Sequence, residues 1–105
     1  MAIVSVVNEE SSSYLTITFY DQDGVEAAPS SATYEVHDDA SETEMLAETA
    51  LPAGSSVEVE MTPAANAIVN DENPVETRVV TIQALYGSEA INEEYKYKVR
   101  NLRFV

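Results

Sequence analysis

The sequence predicts an all-β fold, a two-layer antiparallel sandwich of about seven strands in a single domain spanning residues 1–105. Apolar residues alternate with polar ones along most of the chain, which is the pattern of strands with one buried face. Clusters of Gly, Pro, Asn, Asp and Ser interrupt this alternation at intervals suited to turns between such strands. A chain of 105 residues lies within the size range of one domain, and no linker divides it.

The alternation assigns the strands in order along the chain. Each predicted antiparallel strand has one buried and one solvated face, except the segment 77–86, which is apolar on both faces and is predicted to be central. The predicted strands cover about residues 2–7, 13–20, 32–37, 44–48, 57–61, 77–86 and 93–104. The predicted core consists of Leu15, Ile17, Phe19, Tyr34, Val36, Val57, Val59, Val80, Ile82 and Tyr97.

The segment 41–51 is ambiguous between a strand and a short helix. Ser41 and Glu44 have the spacing of a capping box, and Met45, Leu46 and Ala50 fit one helical face. We favour a short strand at about residues 44–48.

The last predicted strand changes phase near its end. Aromatic and apolar side chains occupy odd positions up to Val99, whereas Leu102 and Phe104 are apolar at even positions. A β-bulge or bend near Asn101 is the simplest way to shift the inward face by one residue. The basic residues on the opposite face are Lys96, Lys98 and Arg100. We expect them to lie across from acidic strand faces such as that of Glu58 and Glu60, with docking on a partner as the alternative.

The charge is strongly negative and unevenly distributed. The net charge is -14, residues 1–77 contain no Lys or Arg, and all five basic residues follow position 77. Direct binding to nucleic acid is therefore not expected, since few positive charges are available to attract phosphates. No membrane span or signal peptide is predicted, because no apolar run approaches about 18 residues and the N-terminus lacks a basic region.

Residues suited to chemistry are sparse. His37 beside Asp38 and Asp39 carries metal-ligating groups, but an exposed histidine at a strand end explains it better. The segment Asp21-Gln22-Asp23-Gly24 lacks the further carboxylates of a calcium loop and is interpreted as a hairpin turn. There is no cysteine, phosphate loop or nucleophile elbow. We therefore expect no enzyme activity, no cofactor and no bound metal.

Residues 32–104 resemble small uncharacterised proteins of tailed bacteriophages. The resemblance depends on the segments Pro63-Ala64-Ala65-Asn66, Glu76-Thr77-Arg78-Val79-Val80-Thr81 and Tyr97-Lys98-Val99-Arg100-Asn101-Leu102. It implies an immunoglobulin-like β-sandwich and a structural role in the virion, as capsid decoration, capsid cement or an accessory head-tail component. It also implies a capsid or tail protein as partner, with self-association as an alternative, and assembly in the host cytoplasm.

Two other functions are compatible with the composition. The acidity alone would suit a DNA-mimic decoy that sequesters a nucleic-acid-binding protein. An adhesion domain that binds carbohydrate would need exposed aromatic side chains, for which Tyr14 and Tyr20 are the candidates. Under the virion hypothesis, the C-terminal segment is the predicted contact with a partner, because it combines positive charge with apolar residues. The predicted contact residues are Lys96, Lys98, Arg100, Arg103 and Phe104.

Overall fold

The computed structural model describes residues 6–104, with Phe104 described by its backbone alone. These residues form seven strands and one turn of 3-10 helix, in agreement with the predicted all-β fold. The first five strands are β1 (Val6–Asn8), β2 (Ser13–Thr18), β3 (Ser31–Asp38), β4 (Glu44–Ala50) and β5 (Ser56–Met61). They are followed by β6 (Val75–Tyr86), β7 (Glu89–Arg100) and the 3-10 helix Leu102–Phe104. The predicted first strand lies, up to residue 5, outside the described residues.

The strands form a five-stranded sheet and a two-stranded sheet. The larger sheet has the order β1-β7-β6-β3-β4, and the smaller one contains β2 and β5. Most neighbours are antiparallel, but β1 runs parallel to β7, so the larger sheet is mixed and the prediction of a wholly antiparallel fold is wrong. The two strands come from opposite ends of the chain, and no short hairpin forces them to run in opposite directions.

The two sheets share one hydrophobic core. Ile17 of β2 and Val59 of β5 pack in the same cluster as Val80 and Ile82 of β6. Nine of the ten predicted core residues are buried, and the tenth, Leu15, is partly buried against the cluster. The prediction holds because side chains of a strand alternate between its two faces, so one apolar face identifies the inward positions.

β6 is the central strand, as its apolar residues on both faces predict. It pairs with β7 along one edge and with β3 along the other. On its outer face Val79 is buried, with His37 of β3 and Lys96 of β7 directly opposite it on the two neighbouring strands. The neighbouring side chains thus cover a valine that points away from the shared core.

The ambiguous segment is a strand, as favoured. β4 pairs with β3 in the antiparallel direction. Ser41 does not begin a helix but stabilises the turn before β4, since its N–H and hydroxyl both donate to one carboxylate oxygen of Asp38, at 2.9 and 2.8 Å. The side chain that suggested a helix cap therefore holds a turn.

The change of phase near Asn101 was predicted to be a bulge or a bend; a bulge within the strand is wrong, because β7 ends at Arg100. β6 and β7 keep a regular register through the pair of Val75 and Arg100, and the chain then enters the 3-10 helix. The buried amide of Asn101 donates to the carbonyl groups of Asp71 and Asn73, both at 3.0 Å. Leu102 is 47% exposed, so the change of phase marks the end of a strand.

Candidate functional site

The basic residues of β7 lie on the outer face of the larger sheet. Tyr97 and Val99 point into the core, whereas Lys98 and Arg100, at the alternate positions, are exposed. The predicted alternation in this strand is therefore confirmed. Because directly opposite residues share a face, Lys98 lies beside Val6 of β1, and Arg100 lies beside Val75 of β6.

The expected pairing of these basic residues with Glu58 and Glu60 is wrong. Both glutamates project from the outer face of β5, which belongs to the smaller sheet. The outer faces of two packed sheets point in opposite directions, so these charges cannot meet across neighbouring strands. Lys96 instead has its ammonium group 3.9 Å from a carboxylate oxygen of Asp39 and 4.0 Å from one of Glu94.

Lys98 and Arg100 differ from Lys96 in having no ion-pair partner among the described residues. Neither forms an ion pair within 4.0 Å in residues 6–104. The two adjoining valines are also exposed, Val6 to 51% and Val75 to 44%. We call these four residues, Val6, Val75, Lys98 and Arg100, the basic strip. It combines positive charge and apolar surface on a protein whose net charge is -14.

Arg103, another predicted contact residue, does not belong to this strip in the structure. The guanidinium of Arg103 lies 3.2 Å from the carboxylate of Asp71, in the loop before β6. Its backbone N–H donates to the side-chain oxygen of Asn101 at 3.1 Å. The side chain of Phe104 lies outside the described residues, so its contact with a partner stays a prediction.

A buried ionic cluster, which the sequence analysis did not anticipate, lies at one end of the core. Arg78 is completely buried on the inward face of β6, together with Glu76. Its guanidinium donates to a carboxylate oxygen of Asp38 at 2.6 Å and to one of Glu76 at 3.0 Å. We call Asp38, Glu76 and Arg78 the Arg78 cluster. Arg78 alternates along β6 in step with Val80 and Ile82, and this pattern in the sequence indicates that its side chain points inward.

The Arg78 cluster holds the loop 62–74 against the sheets. Arg78 also donates to the carbonyl groups of Ala65, at 3.1 Å, and Ala67. Glu76 accepts the backbone N–H groups of Val69 and Asn70, both at 2.8 Å. These bonds and the contacts of the Asn73 amide and Arg78 hold the pKa of Glu76 below its usual value, although burial acts in the opposite direction. Every charge in the cluster is thus engaged in a structural contact.

A second buried polar contact joins the same loop to β7. Asn66 is fully buried and accepts the hydroxyl of Tyr97 at 2.6 Å. Its amide nitrogen donates to the carbonyl of Ser11 at 2.7 Å and to the hydroxyl of Ser13 at 3.2 Å. Burial raises the pKa of Tyr97 to about 12, although the nearby Arg78 charge favours the ionised form. The hydroxyl therefore stays protonated as a donor at neutral pH.

The sequence features considered for metals have structural roles. Asp38 beside His37 belongs to the Arg78 cluster and is engaged there. Asp21 and Gly24 form a turn, with the Gly24 N–H donating to the Asp21 carbonyl at 2.9 Å and Gly24 at a φ of 77°, which favours glycine. In the described part of the chain, no three His, Cys, Asp or Glu residues are grouped to hold a metal ion. No helix among these residues has the length and apolar character required to cross a membrane.

Comparison with known proteins adds no assignment to this geometry. No protein-family model matches the sequence, and no curated protein matches it. The candidate site is therefore defined by the basic strip and the fold that presents it.

Proposed function

We propose that this chain is a non-enzymatic structural protein of a tailed-bacteriophage particle, serving as capsid decoration, capsid cement or an accessory head-tail component. The observation that carries the proposal is the basic strip, where Lys98 and Arg100 form no ion pair with a described residue and lie beside two exposed valines. The resemblance of residues 32–104 to tailed-phage proteins supports the choice of a virion partner. In this proposal the protein acts where the particle assembles, in the host cytoplasm, and remains in the virion.

The charge distribution supports a partner with an acidic docking surface. Lys98 and Arg100 are two residues apart in one strand, about 7 Å along its axis. This separation is within the Debye length of about 8 Å at physiological salt, so both charges act together on a partner. Opposite charges across an interface mainly raise the association rate and select the partner, while Val6 and Val75 supply apolar area for burial.

The proposed fold is an immunoglobulin-like β-sandwich. Seven strands in two sheets around one core support this assignment. The five-stranded sheet leaves an outer face on which β1, β7 and β6 present the basic strip. A rigid sheet face suits a structural role, because its side chains keep fixed spacing without a moving loop.

The test is incorporation into particles. Particles would be purified from a host producing the phage with either the parent chain or Lys98→Gln/Arg100→Gln, and the copies per capsid protein measured by quantitative mass spectrometry. We expect the parent at a fixed stoichiometry and a loss of at least about tenfold for the double variant. Glu58→Gln/Glu60→Gln is the matched control on the opposite outer face, and it should be incorporated like the parent.

The same variants separate the proposal from its alternatives. A DNA-mimic decoy would use its carboxylates, so its partner binding should fall in Glu58→Gln/Glu60→Gln and be unchanged in Lys98→Gln/Arg100→Gln. Self-association through the basic strip would appear as a salt-sensitive dimer in light scattering that the Lys98→Gln/Arg100→Gln variant abolishes. Absence of the parent chain from purified particles would refute the virion role.

A further inference from the structure

A largely apolar groove separates β2 from the larger sheet. It has a volume of about 350 Å³ and opens on one side of the sandwich. Ile17 of β2 and Phe19 just after it form one wall, and the β6 residues Ile82 and Ala84 with Ile91 of β7 form the other. We call this space the β2 groove. It lies between the sheets and therefore on a different surface from the basic strip.

The backbone edge of β2 runs along this groove without a neighbouring strand. Within residues 6–104, β2 pairs with β5 alone. The Phe19 N–H donates to the Ser55 carbonyl at 2.7 Å. Because the register with β5 is regular, Ile17 and the other odd-numbered residues of β2 also direct their backbone N–H and C=O groups towards β5. In an antiparallel pair, the alternate residues direct their N–H and C=O groups to the opposite edge. Thr16 and Thr18 therefore present backbone donors and acceptors beside the groove.

β2 lacks charged residues, proline and bulges, three features that commonly protect an edge strand from pairing. Its residues Ser13–Thr18 include no Lys, Arg or Pro, and its register with β5 contains no bulge. Edge strands of soluble proteins commonly carry such features because an open edge pairs readily with other chains. An unprotected edge next to an apolar groove is the arrangement by which proteins bind an extended peptide as an added strand.

The charge around the groove indicates what kind of segment would fit. No described residue lining it is basic, and Glu93 contributes an acidic group to its wall. Burial raises the pKa of the lining residues Tyr86 and Tyr95, and the charges of Asp21 and Glu93, respectively, raise them further. Negative charge is thus present both at the Tyr86 end and near Tyr95. This favours an occupant with positive charge.

We propose that the β2 groove binds an extended segment of a partner protein, which adds as a strand to the free edge of β2. Alternate apolar side chains of the segment fill the groove, and Lys or Arg residues at its ends suit the negative charge of a protein with a net charge of -14. Backbone hydrogen bonds to Thr16 and Thr18 set its register, and groove contacts select its side chains. This inference does not depend on the proposed virion role, because it concerns a separate surface and applies to any partner with such a segment.

The probe is the synthetic peptide Lys-Val-Thr-Val-Thr-Val-Lys with blocked ends, titrated against the full chain by calorimetry. We expect saturable binding with one peptide per chain. Thr16→Pro should weaken it at least about tenfold, because proline removes the N–H at the free edge and leaves the β2–β5 bonds in place. Thr16→Val is the matched control, since it keeps the N–H and the β-branched shape, and its affinity should stay within about twofold of the parent.

Charge and hydrogen exchange give two independent readouts. The same peptide with Glu at both ends should bind at least about tenfold more weakly at low salt, and the difference should shrink as salt screens the charges. In the parent chain, the Thr16 and Thr18 amides should exchange fast without peptide and slowly with it. This measurement needs no variant, so it decides the matter even if Thr16→Pro does not fold.

Several results would overturn the inference. One is the absence of binding at about 1 mM peptide, and another is equal affinity in Thr16→Pro and Thr16→Val. Binding that leaves the exchange of the Thr16 and Thr18 amides unchanged would place the peptide elsewhere. A concentration-dependent dimer of the parent that Thr16→Pro abolishes would assign the groove to a second copy of this chain.

Discussion

Replacing Arg78 with Met is expected to destabilise the protein by about 4 kcal/mol. The substitution keeps an unbranched side chain of moderate length but removes the guanidinium from the Arg78 cluster. Asp38 and Glu76 then remain buried without their cation. The substitution should affect folding stability and leave the proposed partner contact unchanged, because none of these groups lies in the basic strip.

The magnitude follows from the contacts that are lost and those that remain. Removing one partner of a buried ion pair typically costs about 3–5 kcal/mol. Here Asp38 keeps its bonds from Ser41, and Glu76 keeps those from Val69, Asn70 and Asn73, which favours the lower part of that range. The carbonyl groups of Ala65 and Ala67 also lose their donor, which adds about 1 kcal/mol.

The assay is urea unfolding followed by circular dichroism, with Arg103→Met as the control. With an m-value of about 1.5 kcal/mol per molar urea, the Arg78→Met midpoint should fall by roughly 2.7 M. Arg103 is 61% exposed and pairs with Asp71 at the surface, so Arg103→Met should change stability by less than about 1 kcal/mol.

Equal losses in the two methionine variants would refute the reasoning. So would a loss below about 1 kcal/mol for Arg78→Met, since the buried carboxylates would then be stable without the guanidinium. The total stability of a domain of this length is about 5–15 kcal/mol, so a 4 kcal/mol loss leaves a measurable folded population in most of that range.

Three further predictions concern pH and salt. The pKa of Glu76 is lower in the folded protein than its unfolded value of 4.5, so the ionised carboxylate stabilises the fold above that pH. The free energy of unfolding should therefore fall as the pH drops below 4.5, and it should fall less steeply in Glu76→Gln. The pKa of Tyr97 rises from 10.0 to about 12, so about 2–3 kcal/mol should be lost between those pH values, and Tyr97→Phe should lack this loss in alkaline urea titrations. Because the net charge is -14, added salt should raise the melting temperature; an unchanged or lower value in calorimetry would argue against net repulsion.

The strand faces were predictable because they depend on local alternation. In β3 and β5, Tyr34, Val36, Val57 and Val59 are buried, as their apolar positions indicate. The same rule placed Lys98 and Arg100 on the outer face of β7. A side chain's face in a strand follows from its own position, so no knowledge of neighbouring strands is needed.

The end of β7 and the role of Arg78 required the tertiary structure. A change of phase after Val99 fits both a bulge and a strand end, and the deciding contacts of Asn101 are made with residues 71 and 73. The parity of Arg78 indicated an inward side chain, but only the fold brings Asp38 of β3 to it across 40 positions of sequence. Partners so distant in sequence leave no local pattern.

By itself the sequence determined the all-β class, the buried faces, the strand preference of residues 44–48 and the outward direction of the basic residues of β7. The tertiary structure decided that β1 runs parallel to β7, that Lys96 pairs with Asp39 and Glu94, and that β2 keeps an open edge beside a groove. Alternation specifies which way each side chain points within its own strand, but it contains no information on which strand lies beside it. Strand order depends on how all the apolar faces are buried together, and that is a property of the whole chain.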